Sequence, residues 1–221
     1  MKLLFSSKMR EAADSQFKNF LKCPFVTELG LGKLPLAKFR YYIIQDNLFL
    51  EDATQARRLM AAKAPRRLRS NLDRLLKSMN RFELFSRRQA VSKRLGITAS
   101  TMRQAHRSPT TITYTSFLIR TAAIATVGES LAAMMACPWT YSELGEKYSN
   151  SPAMKHPIFG PWLTIYQTQA MNSWLEELKN IIDKIPAQQR IKRRMIHNFV
   201  TACKLECMFW DMAYRMEKWP Y

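Results

Sequence analysis

The sequence predicts an all-α protein, and three observations support this fold class. Glycine is scarce, with six residues in 221, so the long blocks between glycines contain few turn formers and many strong helix formers. Apolar residues make up 47% of the chain, enough for a sizeable core. Within the blocks, apolar residues recur at the spacing of amphipathic helices. We find no repeat, low-complexity tract or linker, and therefore expect one domain over residues 1–221.

About seven helices are expected, and proline and glycine mark the boundaries of the first three. The first helix covers roughly residues 8–22. The second begins at Pro35, because proline fits the first helical turn, and runs to about Lys63. A basic helix then spans about 67–95 and is closed by Gly96.

The second half of the chain begins with a polar loop, "ITASTMRQAHRSPTT". A long apolar helix is expected to follow and to deliver Cys137 at its C-terminal end, just before a proline. This apolar helix is expected over residues 112–136. A short helix over 139–149 and two longer helices over about 160–184 and 187–217 are expected to follow it.

The charge is strongly positive, with 35 Lys and Arg against 17 Asp and Glu, a net charge of +18. The basic residues concentrate in "ARRLMAAKAPRRLRSNLDRLLKSMNRFELFSRRQAVSKR" and "QQRIKRRM". They alternate with leucine, methionine and phenylalanine at helical spacing, which is typical of a solvated helix face. We therefore expect no nucleic-acid partner. Salt-dependent binding to DNA or RNA would revive that hypothesis.

Membrane and secretory classes are not supported by the sequence. No apolar run approaches the roughly 20 residues of a membrane span, and the N-terminus makes a poor signal peptide. The four cysteines, at 23, 137, 203 and 207, are few and irregularly spaced for a disulfide scaffold. The chain is expected to be cytoplasmic with reduced thiols.

Two acids stand in apolar surroundings. Asp46 lies within "YYIIQDNLFL" and Glu206 within "LECMFWDMAY". A buried carboxylate is costly unless something pairs with it or protonates it. Together with the Cys137 thiol, these acids suggest a polar centre in an aromatic core, suited to a planar, nitrogen-rich ligand. A thiol beside a carboxylate can act as a nucleophile with a proton-handling neighbour.

Simpler interpretations remain open for each element. Either acid can pair with an arginine or face water, and a single cysteine is more often a small hydrophobic residue than a nucleophile. Cys203 and Cys207 lack a completing metal ligand at suitable spacing. A di-iron site is excluded, because no glutamate stands three residues before His106, His156 or His197.

Several blocks, taken in order, resemble one protein family over nearly the whole chain. They include "QDNLFL", "YTSF", "CPWTYSELG", "HPIF" and "E..FWDMAY", and the sequence is similar to the TenA or thiaminase II family. The resemblance implies a haem-oxygenase-like helical bundle without haem, usually a homotetramer. It also implies cofactor-free hydrolysis, with no metal, of aminopyrimidine thiamin breakdown products and of thiamin.

The resemblance assigns roles to three of the residues above. Cys137 matches the catalytic thiol, Glu206 the proton-shuttling acid, and Asp46 the aspartate that hydrogen-bonds the substrate pyrimidine. We accordingly expect Asp46 to be unpaired within the protein, because its partner is the substrate, and Asp46→Asn to fold as well as wild type or better. A non-catalytic pyrimidine- or thiamin-binding protein of the same fold is the alternative, against which the presence of all three residues argues.

The resemblance also implies an aromatic pocket. Tyr114, Tyr141 and Tyr166 match the tyrosines that line it and hydrogen-bond within it, and Phe209 matches the aromatic residue packed on the substrate ring. One residue departs from the family pattern: Phe49 stands where many members have a tyrosine. The pocket is expected to be less polar there, which bears on substrate preference.

Overall fold

The computed structural model describes residues 3–79 and 82–220, with side chains except at 73, 75–79 and 82–87. The described residues form thirteen α-helices and one 3₁₀ turn and contain no strand, so the all-α prediction is confirmed. The helices are α1 Phe5–Ala12, α2 Asp14–Lys22, α3 Pro24–Gly30, α4 Leu36–Ala62, α5 Arg66–Met79, α6 Phe82–Arg94, α7 Ala99–Gln104, α8 Pro109–Ile124, α9 Val127–Met134, α10 Ala136–Lys147, α11 Phe159–Ile165, α12 Gln169–Lys184 and α13 Gln189–Arg215, with the 3₁₀ turn at Pro152–Lys155.

The long helix α13 lies at the centre of the fold. It packs against α1, α2, α3, α4, α8, α9 and α10. Its buried residues recur three and four positions apart, as at Phe199, Ala202, Phe209 and Ala213, which is the pattern of a helix that buries one broad face. Glu206 lies on this buried face, so the fold carries a carboxylate into the core.

Helix α4 confirms the expected boundaries and carries the second acid. Pro35 precedes it in an extended conformation, and the helix ends at Ala62, one residue before the expected end. Its 27 residues extend about 40 Å at 1.5 Å per residue. Asp46 is buried in its middle, and α4 packs against α8 and α13. The two acids thus come from neighbouring helices.

The prediction of one apolar helix over residues 112–136 is wrong. The chain leaves the helix after Ile124 and restarts at Val127, because Thr126 and Glu129 form a capping box. The Glu129 carboxylate accepts from the Thr126 N–H and O–H at 2.9 and 2.6 Å. A second break at Met135 starts α10, so Cys137 lies in the first turn of α10 rather than at a helix C-terminus.

Other expected helices are also divided, and α3 lies outside every expected helix, so the described residues contain more helices than predicted. The helix expected over 8–22 breaks at Ala13. The one over 160–184 breaks where Thr168 caps α12, and the loop after Gly96 contains α7. Gly96 adopts a positive φ of 65° after α6, as a helix-closing glycine should. Whether the basic helix is continuous across residues 80–81 lies outside the described residues.

The described helices were also compared with the requirements of a membrane span. None of them combines the length and the apolar character that crossing a bilayer needs.

Candidate active site

A cavity of about 970 Å³ opens beside α4 and contains half of the predicted site residues. Asp46 contributes from α4, Cys137 and Tyr141 from α10, and Tyr166 from the end of α11. The other described lining residues are Asn47, Leu50, Glu51, Thr54, Arg57, Arg88, Gln89, Ser92, Lys93, Ile97, Thr98, Ala99, Met102, Pro138, Ile165 and Met171. Its volume suits a drug-sized ligand.

Cys137 forms the link between the cavity and the protein interior. Its thiol borders the cavity and lies within hydrogen-bonding range of the Glu206 carboxyl group. Glu206 is 2% exposed, and its Oε1 accepts a hydrogen bond from the Tyr114 hydroxyl at 2.8 Å. Three of the predicted residues, from α8, α10 and α13, therefore form one group around the Glu206 carboxyl.

The partners of Glu206 in this group are neutral, and this determines its titration. Burial raises the pKa of the Glu206 carboxyl from 4.5 to about 7, and the hydrogen bonds from Tyr114 and Cys137 lower it only partly. An acid with a pKa near neutrality can both accept and return a proton at physiological pH.

The Cys137 thiol is held in its protonated form by the same surroundings. Burial raises the pKa of the Cys137 thiol well above its usual value, and the Glu206 carboxylate adds to that rise. The guanidinium groups of Arg57 and Arg88 lower the pKa of the Cys137 thiol. Because the thiolate is the nucleophile, this thiol requires a base, and Glu206 is in contact with it.

The structure contradicts the expectation that Asp46 is unpaired. Nη2 of Arg88 forms an ion pair with Oδ2 of Asp46, and Nη1 of Arg88 donates to the Tyr166 hydroxyl at 3.3 Å. The Asp46 side chain is 4% exposed and that of Arg88 21%. A buried carboxylate usually acquires a cationic partner, and here α6 supplies it.

Arg88 and Arg57 are two charged cavity residues that sequence reasoning missed. Both belong to the basic run interpreted as a solvated face, yet both line the cavity. A signal for Arg57 was available: it stands eleven residues after Asp46, which returns to the same face of α4. No comparable signal exists for Arg88, because α6 meets Asp46 through tertiary packing.

Tyrosines form the wall of the cavity beside Cys137. The Tyr141 and Tyr166 rings lie 4.9 Å apart between centroids, and the Tyr141 hydroxyl shares a 2.8 Å hydrogen bond with the buried Tyr42 hydroxyl. Burial raises the pKa of Tyr166 to about 12. These hydroxyls are therefore neutral hydrogen-bonding groups at physiological pH.

Phe49, Phe209 and Tyr114 form an aromatic layer in the interior. The Phe49 ring lies 4.8 Å from that of Tyr114 and 5.6 Å from that of Phe209, between centroids. All three residues are at most 3% exposed. The Tyr114 hydroxyl of this layer donates to the Glu206 carboxyl, and none of the three residues is among those that line the described cavity.

The other cysteines have structural surroundings. Cys203 is buried, and the Cys207 thiol donates to the Gln16 carbonyl at 3.4 Å. Within the part of the chain that the structure describes, no three His, Cys, Asp or Glu side chains cluster as metal ligands.

The arrangement combines a nucleophile, a proton acceptor and a binding carboxylate. Cys137 faces the cavity, Glu206 touches its thiol, and Asp46 borders the same cavity on α4. Chemically, this combination can add sulfur to a bound electrophile and move the thiol proton.

Comparison with solved structures confirms the expected fold. The TenA homologue of P. horikoshii OT3 is 27% identical, with a TM-score of 0.87 over 96% of this chain and 99% of that one. Heme oxygenase-1 of the cyanobacterium Synechocystis, 14% identical, has a TM-score of 0.65 over 95% of this chain and 91% of its own. The chain therefore has the haem-oxygenase-like fold.

Comparison with sequences confirms the resemblance. An aminopyrimidine aminohydrolase of Halalkalibacterium halodurans is 30% identical over 223 aligned residues, which cover 98% of each chain. The model of the TENA/THI-4/PQQC family matches residues 7–216, which is nearly the whole sequence. The chain belongs to the TENA/THI-4/PQQC family.

Proposed function

We propose that the chain is a hydrolase that cleaves the C–N bond at the exocyclic methylene of aminopyrimidine thiamin breakdown products, and of thiamin, in thiamin salvage or degradation. The observation that carries this proposal is the Cys137 thiol in the cavity wall, in contact with a Glu206 carboxyl whose pKa is about 7. Full-length relatives named aminopyrimidine aminohydrolase support it.

In this proposal Cys137 and Glu206 act together. The sulfur forms a bond to a carbon of the pyrimidine ring as the thiol proton passes to the carboxylate. Ring electrons then expel the leaving nitrogen, and Glu206 returns the proton to a leaving amine. Water adds its oxygen to the exocyclic methylene and gives up a proton, the carbon–sulfur bond breaks, and the departing sulfur takes up that proton to restore the thiol. Such proton transfer contributes roughly 10²–10⁴ in rate.

Asp46 is proposed to hold the pyrimidine. Its carboxylate can accept from an amino group and a protonated ring nitrogen of the substrate, and would stabilise the protonated ring that makes sulfur addition feasible. Arg88 occupies Oδ2 in the structure. A contact through both carboxylate oxygens therefore requires Arg88 to leave Oδ2, whereas a contact through Oδ1 does not.

The neighbouring tyrosines would complete the pocket. Tyr141 and Tyr166 line the cavity next to Cys137, and their neutral hydroxyls would hydrogen-bond the substrate while their rings pack on it. Phe49 and Phe209 are not among the described cavity-lining residues. We therefore propose that Phe49 packs on Tyr114, the hydrogen-bond donor to Glu206, and that Phe209 supports Phe49, in place of the predicted packing of Phe209 on the substrate ring.

The direct test incubates the purified protein with the aminomethylpyrimidine and with thiamin, and follows release of ammonia and of thiazole. We expect turnover of at least one substrate, unchanged after dialysis against a chelator, since we propose that no metal or organic cofactor takes part. Activity that is lost on chelation and restored by zinc or iron contradicts the cofactor-free mechanism.

The same assay separates the alternatives. Tight binding of the pyrimidine without turnover would favour a non-catalytic binding protein. Salt-dependent binding to DNA or RNA, without hydrolysis, would favour the nucleic-acid hypothesis raised by the charge of +18.

The organisation of the protein also remains a proposal. We propose a single cytoplasmic domain over residues 1–221 that assembles as a homotetramer, as the family resemblance implies. Light scattering should give four times the chain mass of 25.8 kDa. A monomeric mass would contradict the assembly, and two separate unfolding transitions would contradict the single domain.

A further inference from the structure

Arg57 is a cavity residue to which the proposed reaction assigns no contact with the substrate. It lies on α4 on the same face as Asp46, is half-buried, and lines the cavity together with Cys137. Within the described side chains, no carboxylate forms an ion pair with it. Burial lowers the pKa of the Arg57 guanidinium, as expected where a charge has lost water without gaining an opposite charge.

The carboxylates of the cavity have other partners. Asp46 pairs with Arg88, and Glu51 pairs with Arg107 at 3.2 Å. The exposed Lys93 also lines the cavity, and no described carboxylate pairs with it. Among the described charged residues of the cavity, Arg57 and Lys93 are therefore the two that have no carboxylate partner. Unpaired positive charge at a cavity attracts ligands of negative charge.

The position of Arg57 relative to Asp46 fits a ligand with two different ends. Eleven residues of helix separate their Cα atoms by about 16 Å. The side chain of Arg57 shortens this span, because side chains on a helix lean toward its N-terminus. A pyrimidine held at Asp46 would therefore need a substituent several bonds long to reach Arg57 within the same cavity.

We propose that Arg57 binds an anionic group carried on the leaving part of the substrate, with Lys93 adding to the positive potential. The inference rests on the proposed function and names its substrate class: pyrimidines whose leaving group ends in a phosphate or a carboxylate. A guanidinium fork matches either anion with two parallel hydrogen bonds.

The test compares three substrates that share one scissile bond. Thiamin ends in a neutral hydroxyl, thiamin monophosphate ends in phosphate, and the analogue with an oxidised side chain ends in carboxylate. We expect wild type to favour at least one anionic substrate over thiamin by about tenfold or more in kcat/KM, mainly through KM. The preferred anion identifies the source of the charge.

Variants then assign this preference to Arg57. Arg57→Gln should reduce the ratio of kcat/KM between the preferred anionic substrate and thiamin to near one. The matched control is Arg58→Gln, which removes an exposed arginine from the next position of α4 and should leave the ratio as in wild type.

Two results would overturn the inference. One is a wild type with no preference for either anion. The other is an Arg57→Gln variant that loses kcat equally for all three substrates, which would mean that Arg57 acts on Cys137 instead.

A wild type that hydrolyses none of these substrates, and no aminomethylpyrimidine, refutes the proposed function rather than the anion site. Calorimetric binding of thiamin monophosphate then tests the site by itself. Weaker binding by Arg57→Gln than by Arg58→Gln supports it, and equal binding refutes it.

Discussion

The two buried carboxylates of the cavity region, Asp46 on α4 and Glu206 on α13, are buried to the same degree and have opposite surroundings. Asp46 is 3% exposed and Glu206 2%. Asp46 pairs with the guanidinium of Arg88, whereas Glu206 meets the hydroxyl of Tyr114 and the thiol of Cys137. Neither carboxylate is left in contact with bulk solvent, so the neighbours decide how each acid behaves.

This difference in surroundings suits Asp46 to binding a substrate and Glu206 to carrying a proton. A carboxylate beside a cation is stabilised in its ionised form, in which it accepts hydrogen bonds from a substrate. Glu206, with neutral donors, has a pKa of about 7 and can exchange a proton with the thiol. Sequence alone presented both as isolated acids in apolar helices.

The largest effect on turnover is expected at Cys137, whose proton Glu206 is proposed to accept. Cys137→Ser should reduce turnover to near the uncatalysed background, because a hydroxyl is a far poorer nucleophile than a thiol beside this acid. Pyrimidine binding and thermal unfolding should change little, since the two side chains are similar in size. Wild-type turnover in this variant would exclude covalent catalysis by Cys137.

The second-largest effect is expected on the free energy of unfolding, where substitutions of Glu206 and of Asp46 should act in opposite directions. Glu206→Gln should stabilise the protein by about 3 kcal/mol at pH 8, at about 1.4 kcal/mol per pKa unit. The sign follows because the folded state holds this proton up to about pH 7, against an ordinary value of 4.5. Between pH 4.5 and about 7 the unfolded chain loses this proton while the folded state keeps it, so stability falls across that range and stays lower above it, and glutamine does not ionise.

Asp46→Asn should do the reverse, and lower stability by about 1–3 kcal/mol by leaving the Arg88 charge without its ion pair. This replaces the sequence-based expectation that the variant folds as well as wild type or better. Denaturant unfolding of both variants at pH 8 measures the contrast. Changes of the same sign at the two acids would remove the distinction between them.

A double-mutant cycle sharpens the result at Asp46. If Arg88 is its partner in solution, Asp46→Asn combined with Arg88→Gln should cost less stability than the sum of the two single changes. Strict additivity would mean that the ion pair does not contribute.

The smallest effects are expected at the remaining core cysteines of α13. Cys203→Ser and Cys207→Ser should retain most of the hydrolase activity, because neither residue lines the described cavity and both serve packing. Their rates, measured beside Cys137→Ser, control for general damage from replacing a thiol. A loss as large as that of Cys137→Ser would assign one of them a role in the reaction.

Local sequence signals predicted much of the fold. Of the two acids compared above, they predicted the apolar burial of both but not the ion pair of Asp46. Helical class followed from glycine scarcity and apolar spacing, and Pro35 and Gly96 marked real boundaries. The break between α8 and α9 was missed although its signal, a threonine followed three residues later by a glutamate, stands in the sequence. That omission put Cys137 at the wrong end of a helix.

The pairing of Asp46 could not be predicted in the same way. Its partner Arg88 lies 42 residues further along the chain, within a basic run whose composition is typical of an exposed face. Which arginine turns inward depends on how α6 packs beside the cavity, and no local pattern encodes that. The cationic partner of Asp46 could therefore be identified only from the structure.

The central claim is that Glu206 accepts the Cys137 proton, and the pH dependence of kcat/KM tests it most directly. For wild type, kcat/KM should rise about tenfold per unit up to about pH 7 and then level, because the base form of Glu206 is required. Glu206→Gln should lose this limb and be slower by roughly 10²–10⁴. A variant that keeps the wild-type rate and the same pH limb would contradict the account.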